Sequence, residues 1–418
     1  MVPFARHGGR PFSLSMSLIT LAIAAGTSTP AWAGWSTPVQ PPAACGTSDG
    51  ISGQNLALNG NGSWAIVTSQ ALGNGTANVN VCTSSDGVNW TGPTVIGQGG
   101  FPAVAVAPNG KIVVVWQGGA VTSPDEEAAY KLAGGTWTAP VVLDSSPAGH
   151  PLVSMDGSGN AIAVWVPGSG AAKTASLPAT GSWTATTTLS TAGYDIGLAT
   201  SSGGQAIVGV RAGHDGPILA FSGTILGGLG AGVKLAGTYA NAHHPLHIAM
   251  NAAGAAAFAW ESGNGALIAL RGTDGTWGTP VAWEVNYHAG IATAIDNTGN
   301  VIVAFGHYTG TGPIPVYGAL HPAGGSWGAA TLLSSLNDLG SPFVAGDPAG
   351  TFVVAWTNSS STITALTIPP GGGLTGTTAV VGSPTVFQLT MIPGLAVMWL
   401  SGLGTSGSGG GVAKESVN

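Results

Sequence analysis

Short apolar runs recur along the chain, each bounded by glycine, asparagine or aspartate. Ala161-Ile162-Ala163-Val164-Trp165 is one such run, and Val301-Ile302-Val303-Ala304-Phe305 is its counterpart further on. Runs of this length, rich in β-branched and aromatic residues, read as strands, and the Gly/Asn/Asp stretches between them read as hairpin turns. Asp156-Gly157-Ser158-Gly159-Asn160 and Asp296-Asn297-Thr298-Gly299-Asn300 are the same turn in two places. In each, the Asp can bind N–H groups of its own turn. A calcium loop would need more carboxylates per turn than these carry.

The runs fall into a repeat of four strands. The aromatic that ends the second strand appears as Trp116, Trp165, Trp260, Phe305, Trp356 and Trp399, with Val210 filling the one gap. The steps are 49, 45, 50, 45, 51 and 43 residues. A second landmark, the Trp that opens the fourth strand, keeps the same period at Trp90, Trp137, Trp183, Trp277 and Trp327. A four-stranded unit of this length is a propeller blade. The predicted fold is therefore all-β, a β-propeller of about eight four-stranded blades, with seven possible. Seven complete units run from about Asn55 to Ser383, and an eighth begins at Pro384.

The eighth unit has a second strand ending near Trp399 and a third at Val412 to Val417, but no Trp-led fourth strand. That strand stands at the other end of the chain, where Gly34-Trp35-Ser36-Thr37-Pro38-Val39 matches Gly135-Thr136-Trp137-Thr138-Ala139-Pro140-Val141. Residues 34–42 are thus expected to complete the last blade with 384–418 and close the ring, which removes an exposed sheet edge. The Gly/Ser stretch Gly402 to Gly411 reads as a loop in that blade or a flexible tail. Cys45 and Cys82, the only cysteines, would pin the joint as a disulfide; two free buried thiols are the alternative.

The turns before the fourth strands resemble the Asp-box turns of bacterial sialidase-like propellers, Ser-x-Asp-x-Gly-x-x-Trp. Ser85-Asp86-Gly87-Val88-Asn89-Trp90 and Thr273-Asp274-Gly275-Thr276-Trp277 are shortened versions, and Gly325-Ser326-Trp327 keeps only Gly and Trp. The resemblance implies a structural role for these turns, with the Asp tying the hairpin and the Trp packed between blades. It does not carry sialidase activity. That family grips its substrate carboxylate with three arginines, whereas only Arg211 and Arg271 lie beyond residue 33. Its Tyr–Glu nucleophile pair cannot be placed among Glu126, Glu127, Glu261, Glu284 and Glu415.

Composition fits the strand reading. Charged residues are 6% of the chain, where about 25% is usual. Residues 1–33 read as a secretory signal, with Arg6 and Arg10 before an apolar stretch from Leu14 to Ala25 and an Ala31-Trp32-Ala33 cleavage site. An uncleaved anchor is the alternative. Cleavage would leave a single propeller domain, 34–418, secreted or periplasmic. Later stretches are too short to span a bilayer. The remaining basic residues are few and scattered, which excludes nucleic acid as a partner.

Candidate chemistry is sparse. A glycosidase needs two opposed carboxyl groups; most acids here fall in turns, and Asp195 and Glu261 are the least explained. Gly324-Gly325-Ser326-Trp327-Gly328 matches a hydrolase elbow but falls in a hairpin, where the match has no meaning. His150, His244 and His288 fall where first strands begin, with Phe101 and Tyr194 at similar places and His247 close by. First strands line a propeller's channel, so these residues could ring one mouth and stack on a sugar or hold a metal. A His-Pro pair simply opening a strand accounts for them equally. His243-His244-x-x-His247 has helical metal-site spacing in a strand context. The expectation is an exported, monomeric, non-enzymatic binding propeller for carbohydrate or a surface protein, without cofactor or metal. Candidate ligand-binding residues are Phe101, His150, Tyr194, Asp195, His244, His247 and His288. A carbohydrate-active hydrolase or lyase, and a structural or adhesive envelope protein, are the alternatives.

Overall fold

The computed structural model describes residues 34–42, 45, 55–72, 76–120, 123–146, 149–168, 170–237, 246–262, 265–284, 288–307, 312–335, 342–375, 378–382, 386–403 and 409–417. They form eight antiparallel sheets, each made of consecutive strands. The innermost strands are Leu56–Leu58, Gly100–Val106, Leu152–Met155, Ile196–Thr200, His247–Met250, His288–Ile295, Phe343–Gly346 and Val386–Ile392. Each contacts the next, and the eighth contacts the first. The chain is an eight-bladed β-propeller. No helix among the described residues is long and apolar enough to cross a membrane.

The last blade closes as the sequence predicts. Three strands, Val386–Ile392, Leu395–Leu403 and Gly409–Ser416, come from the C-terminal end. The fourth comes from the N-terminal side, where Trp35 bridges Glu415 and Val39 bridges Val412. Cys45 and Cys82 form a disulfide that ties this clasp to the third strand of blade 1. The Gly/Ser stretch differs from expectation. Gly409, Gly410 and Gly411 lie in a strand, paired with Leu403, Ser401 and Leu400. Backbone pairing needs no side chain, so composition alone misses the strand at 409–411; residues 404–408 lie outside the described residues.

Packing explains the repeat. Trp116, Trp165, Trp260 and Trp356 are fully buried, as are Phe305 and Val210 at the same place in their blades. Trp137, Trp183 and Trp327, expected to open fourth strands, instead stand four residues before them, ahead of Val141, Thr187 and Thr331. They pack half-buried against clusters shared with the neighbouring blade: Trp137 with blades 1 and 2, Trp183 with blades 2 and 3, Trp327 with blades 5 and 6. These aromatics are core rather than ligand platforms. Blade 4 lacks the landmark Trp, and its outer strand is split into Gly228–Leu229 and Val233–Ala236, both paired with Ile218–Thr224.

The turn joining first and second strands is one device used repeatedly. Asp296 Oδ1 accepts from the N–H groups of Thr298 and Asn300 at 2.9 and 2.8 Å, and Asp156 and Asp347 do the same in their blades. Asn59 and Asn251 take the place with an amide oxygen. The fourth residue is glycine in all seven, from Gly62 (φ 85°) to Gly350 (φ 103°), a left-handed conformation that disfavours side chains. Neighbouring turns also bond to each other: Asn59 Nδ2 donates to Ala107 O, and Asn251 Nδ2 to Asp296 O at 3.0 Å.

Candidate functional site at the channel mouth

The channel between the inner strands of blades 3 to 8 holds a cavity of about 340 Å3 without an ionisable lining group; Thr200, Thr293 and Thr390 are among its polar members. Chemistry concentrates instead at the end of the ring where first strands begin and second strands end.

The densest cluster is on blades 4 and 5. Ile196 pairs with Val210, so Asp195 and Arg211 face each other at the end of that ladder. Arg211 N donates to Asp195 O, and Tyr194 N donates to Arg211 O. The side chain repeats the pairing, with Arg211 Nε 2.8 Å from Asp195 Oδ2. The guanidinium is wholly buried, and its Nη1 and Nη2 meet no hydrogen-bond acceptor among the described residues. A guanidinium stays charged when buried, so Asp195, one-fifth exposed, is its counter-ion. Glu261 follows Trp260 as Arg211 follows Val210. Its Oε1 accepts from Gly290 N in blade 6 at 2.6 Å. Burial pushes its carboxyl up to about 7, against the pull of the Gly290 N–H and Arg211. Asp195 thus pairs directly with Arg211, and Glu261 lies within its electrostatic reach.

Tyr194 stands outermost, 47% exposed. The His214 ring meets it edge-on at 5.0 Å, and His214 Nδ1 lies 3.0 Å from Asp215 Oδ1. His214 and Asp215 sit in the turn between second and third strands of blade 4, on the same end of the ring as Tyr194.

A second pair lies on blades 2 and 3. The rings of Phe101 and His150 stack with centroids 4.0 Å apart and planes at 21°. Phe101 has φ 50°, rare for a bulky residue, at an irregularity of the first strand between Gly100 and Ala103. Partial desolvation lowers the pKa of His150, although the residue stays exposed, and favours the neutral imidazole.

Of the sequence candidates, the structure stacks Phe101 on His150 and sets Tyr194 and Asp195 at the end of the blade 4 ladder. His247 opens the inner strand of blade 5, half-buried, and His288 opens that of blade 6. His243 and His244 lie outside the described residues. Among the described residues, no three His, Cys, Asp or Glu are placed to hold a metal ion. Gly324 to Gly328 form a hairpin with Gly325 N on Pro322 O and Gly328 N on Leu320 O, not a strand-to-helix elbow.

Sequence reasoning missed Glu126. It lies within the strand Ser123–Lys131 rather than in a turn, fully buried, and neither carboxylate oxygen has a hydrogen-bond partner among the described residues. Burial first, then Asp144, Asp125 and Glu127, drives its pKa well above the usual carboxylate range. Asp144 is itself held by Lys173 Nζ at 2.7 Å and Trp165 Nε1 at 3.0 Å. The available signal was Asp125-Glu126-Glu127, three consecutive acids in a chain with 6% charge.

No known family model matches the chain, and no curated protein matches it by sequence. Among solved structures, the BP39L lectin of Burkholderia pseudomallei is similar with a TM-score of 0.56 at 15% identity, over 80% of this chain and 99% of that one. The ulvan lyase of polysaccharide lyase family PL25 reaches 0.48 at 10% identity, over 92% and 94%. The Aleuria aurantia lectin reaches 0.38 at 15% identity, over 68% and 96%. The first shares the propeller fold; the other two are too distant to bear on this chain.

Proposed function

We propose that this chain is an exported, non-enzymatic, carbohydrate-binding propeller whose ligand docks at the mouth of blades 4 and 5. The observation that carries the reading is the exposed Tyr194 ring beside Asp195, a carboxylate fixed by a fully buried guanidinium. An aromatic face offers apolar area to a sugar ring. A carboxylate with one oxygen tied down can accept hydroxyl protons with its other lone pairs. Asp195 needs no reordering on binding, because Arg211 already holds it; preorganisation of this kind favours affinity. The stacked Phe101 and neutral His150 offer a second apolar face, and His244, His247 and His288 complete the set proposed to line the mouth.

The likeness to a protein described as a lectin supports the fold, which by itself fixes no function. The Cys45–Cys82 disulfide supports passage through an oxidising compartment, with residues 1–33 as the signal. The mature chain, from Gly34, screened on a glycan array with and without EDTA, tests the reading. Specific binding that Tyr194→Ala and Asp195→Asn each weaken supports it. Absence of glycan binding moves the chain to the adhesive reading, and loss with EDTA alone points to a metal.

One observation favours catalysis instead. Glu261, with its pKa near 7, could exchange a proton near neutrality. It is 2% exposed, however, and its carboxyl faces Gly290 and Arg211 rather than solvent. Release of reducing or unsaturated sugar ends from an array-positive glycan, abolished by Glu261→Gln, would establish that reading.

A further inference from the structure

The first turns of blades 1 to 7 share one backbone plan. In each, the N–H of the opening residue donates to the carbonyl four residues on: Asn59 to Ser63, Ala107 to Lys111, Asp156 to Asn160, and so to Asp347 with Thr351. Ser63 and Lys111 therefore hold the same position in blades 1 and 2, and each sits against the glycine of the next turn.

Lys111 fills the groove between blades 2 and 3. Its ammonium donates to the carbonyls of Gly159, Pro178 and Ala179, at 3.1, 2.7 and 3.2 Å, and lies 5.1 Å from the Tyr130 ring centre. Between blades 1 and 2 the shorter Ser63 leaves the equivalent groove open, with a volume of about 430 Å3. Strand pairing fixes the correspondence. Ile112 pairs with Lys131 as Ala161 pairs with Leu177, so Leu132 and Ala133 match Pro178 and Ala179, and Gly110 matches Gly159. All three line the open groove, on the blade 2 side. Its blade 1 side is Ser63, Trp64, Ser84, Asn89 and Thr91.

We propose that the groove between blades 1 and 2 is a second ligand site and that it takes a single neutral saccharide residue. Its chemistry selects that class. Three main-chain carbonyls occupy the places whose counterparts take up the three protons of an ammonium next door. Hydroxyl groups of a sugar supply such protons. The Ser63 and Thr91 hydroxyls opposite can both donate and accept, while Ser84 and Asn89 already donate to Asp86. Lys131 is the one charged lining group, and it forms no salt bridge among the described residues. It donates to a sugar oxygen and repels a cationic ligand, while an apolar ligand would offer these carbonyls no proton; Leu132 O already accepts from Gly135 N at 2.9 Å and keeps a second lone pair for a hydroxyl. Recognition is by hydrogen bonding rather than stacking, because Gly87 and the Lys414 ammonium already lie against the Trp64 ring. The groove volume suits a small ligand. The matching groove between blades 6 and 7 holds only about 130 Å3, since Phe352 stands there in place of Ile112.

This site shares its ligand class with the blade 4–5 mouth but none of its residues, so the two are separable. Ser63→Lys copies the plug of the next boundary. The test is saturation-transfer NMR on the 34–418 chain with methyl glycosides of glucose, galactose, mannose and fucose. The expected result is transfer to at least one glycoside that Tyr194→Ala leaves intact and Ser63→Lys weakens about tenfold or more. Transfer that Ser63→Lys leaves intact overturns the proposal, as does transfer lost in Tyr194→Ala alone or absent from every glycoside. Should Ser63→Lys not fold, Thr91→Trp at the exposed rim of the groove blocks it from outside and is read the same way.

Discussion

Val39 and Val412 exchange both of their backbone hydrogen bonds, each at 2.9 Å, although they lie near opposite ends of the chain. With Trp35 on Glu415 they make the only covalently distant strand pairing among the described blades, and the Cys45–Cys82 disulfide fastens the segment that carries it. Opening this clasp exposes two sheet edges at once.

Replacing both cysteines by serine should therefore destabilise the ring. The cross-link spans 37 residues, which in the chain-entropy model corresponds to about 4 kcal/mol. Thermal unfolding of the double variant, and of the native protein with and without reductant, measures it. Equal midpoints in all three would show that the strand pairing holds the clasp without help.

The first turns should respond by residue type. Asp296→Ala removes the acceptor from two backbone N–H groups and is expected to cost about 1–3 kcal/mol. Asp296→Asn should cost about 1 kcal/mol or less, because Asn59 and Asn251 already perform this role in their blades. Denaturant unfolding of the two variants compares them directly.

Glu126 makes stability depend on pH. Its folded pKa is raised, so the folded chain binds a proton that the unfolded chain releases above its ordinary carboxylate pKa of 4.5. Stability is then fully retained below 4.5 and falls as pH rises toward the folded value. The groups facing Glu126 are Asp144, Asp125 and Glu127, all acids. Glu126→Gln should match the native midpoint near pH 4 and exceed it increasingly toward pH 8. A constant difference across that range would place the charge elsewhere.

Glu261 predicts a narrower window. Its pKa rises from 4.5 to about 7, so its contribution is lost between those values and changes no further above them. The shift corresponds to at most about 3 kcal/mol. Glu261→Gln should flatten the stability profile between pH 4.5 and 7 and leave its slope above 7 unchanged.

Much of the fold was legible because a blade is a local object. Trp116, Trp165 and Trp260 keep a period, and an Asp or Asn opens five of the seven first turns, so strand count, turn chemistry and even the displaced strand at Trp35 could be read in one dimension. The site was legible only residue by residue. Tyr194, Asp195 and Glu261 stood out as polar or aromatic side chains where strands begin or end. Nothing in their spacing says that Arg211 pairs with Asp195 and also pulls on the charge of Glu261, because the second effect depends on how blade 4 meets blade 5. Lys111 and Ser63 illustrate the same limit. Their equivalence follows from the turn, but what each does depends on carbonyls in the following blade. Glu126 was obscured differently, since an acid inside a strand conventionally points to solvent, and this one does not.

The clasp also sets an order of events at birth. Ser36 hydrogen-bonds Lys414, 378 positions away, so a ribosome has made nearly the whole propeller before the earliest strand has anything to pair with. Until then the growing protein is an arc with two raw rims, and any truncated product stays one.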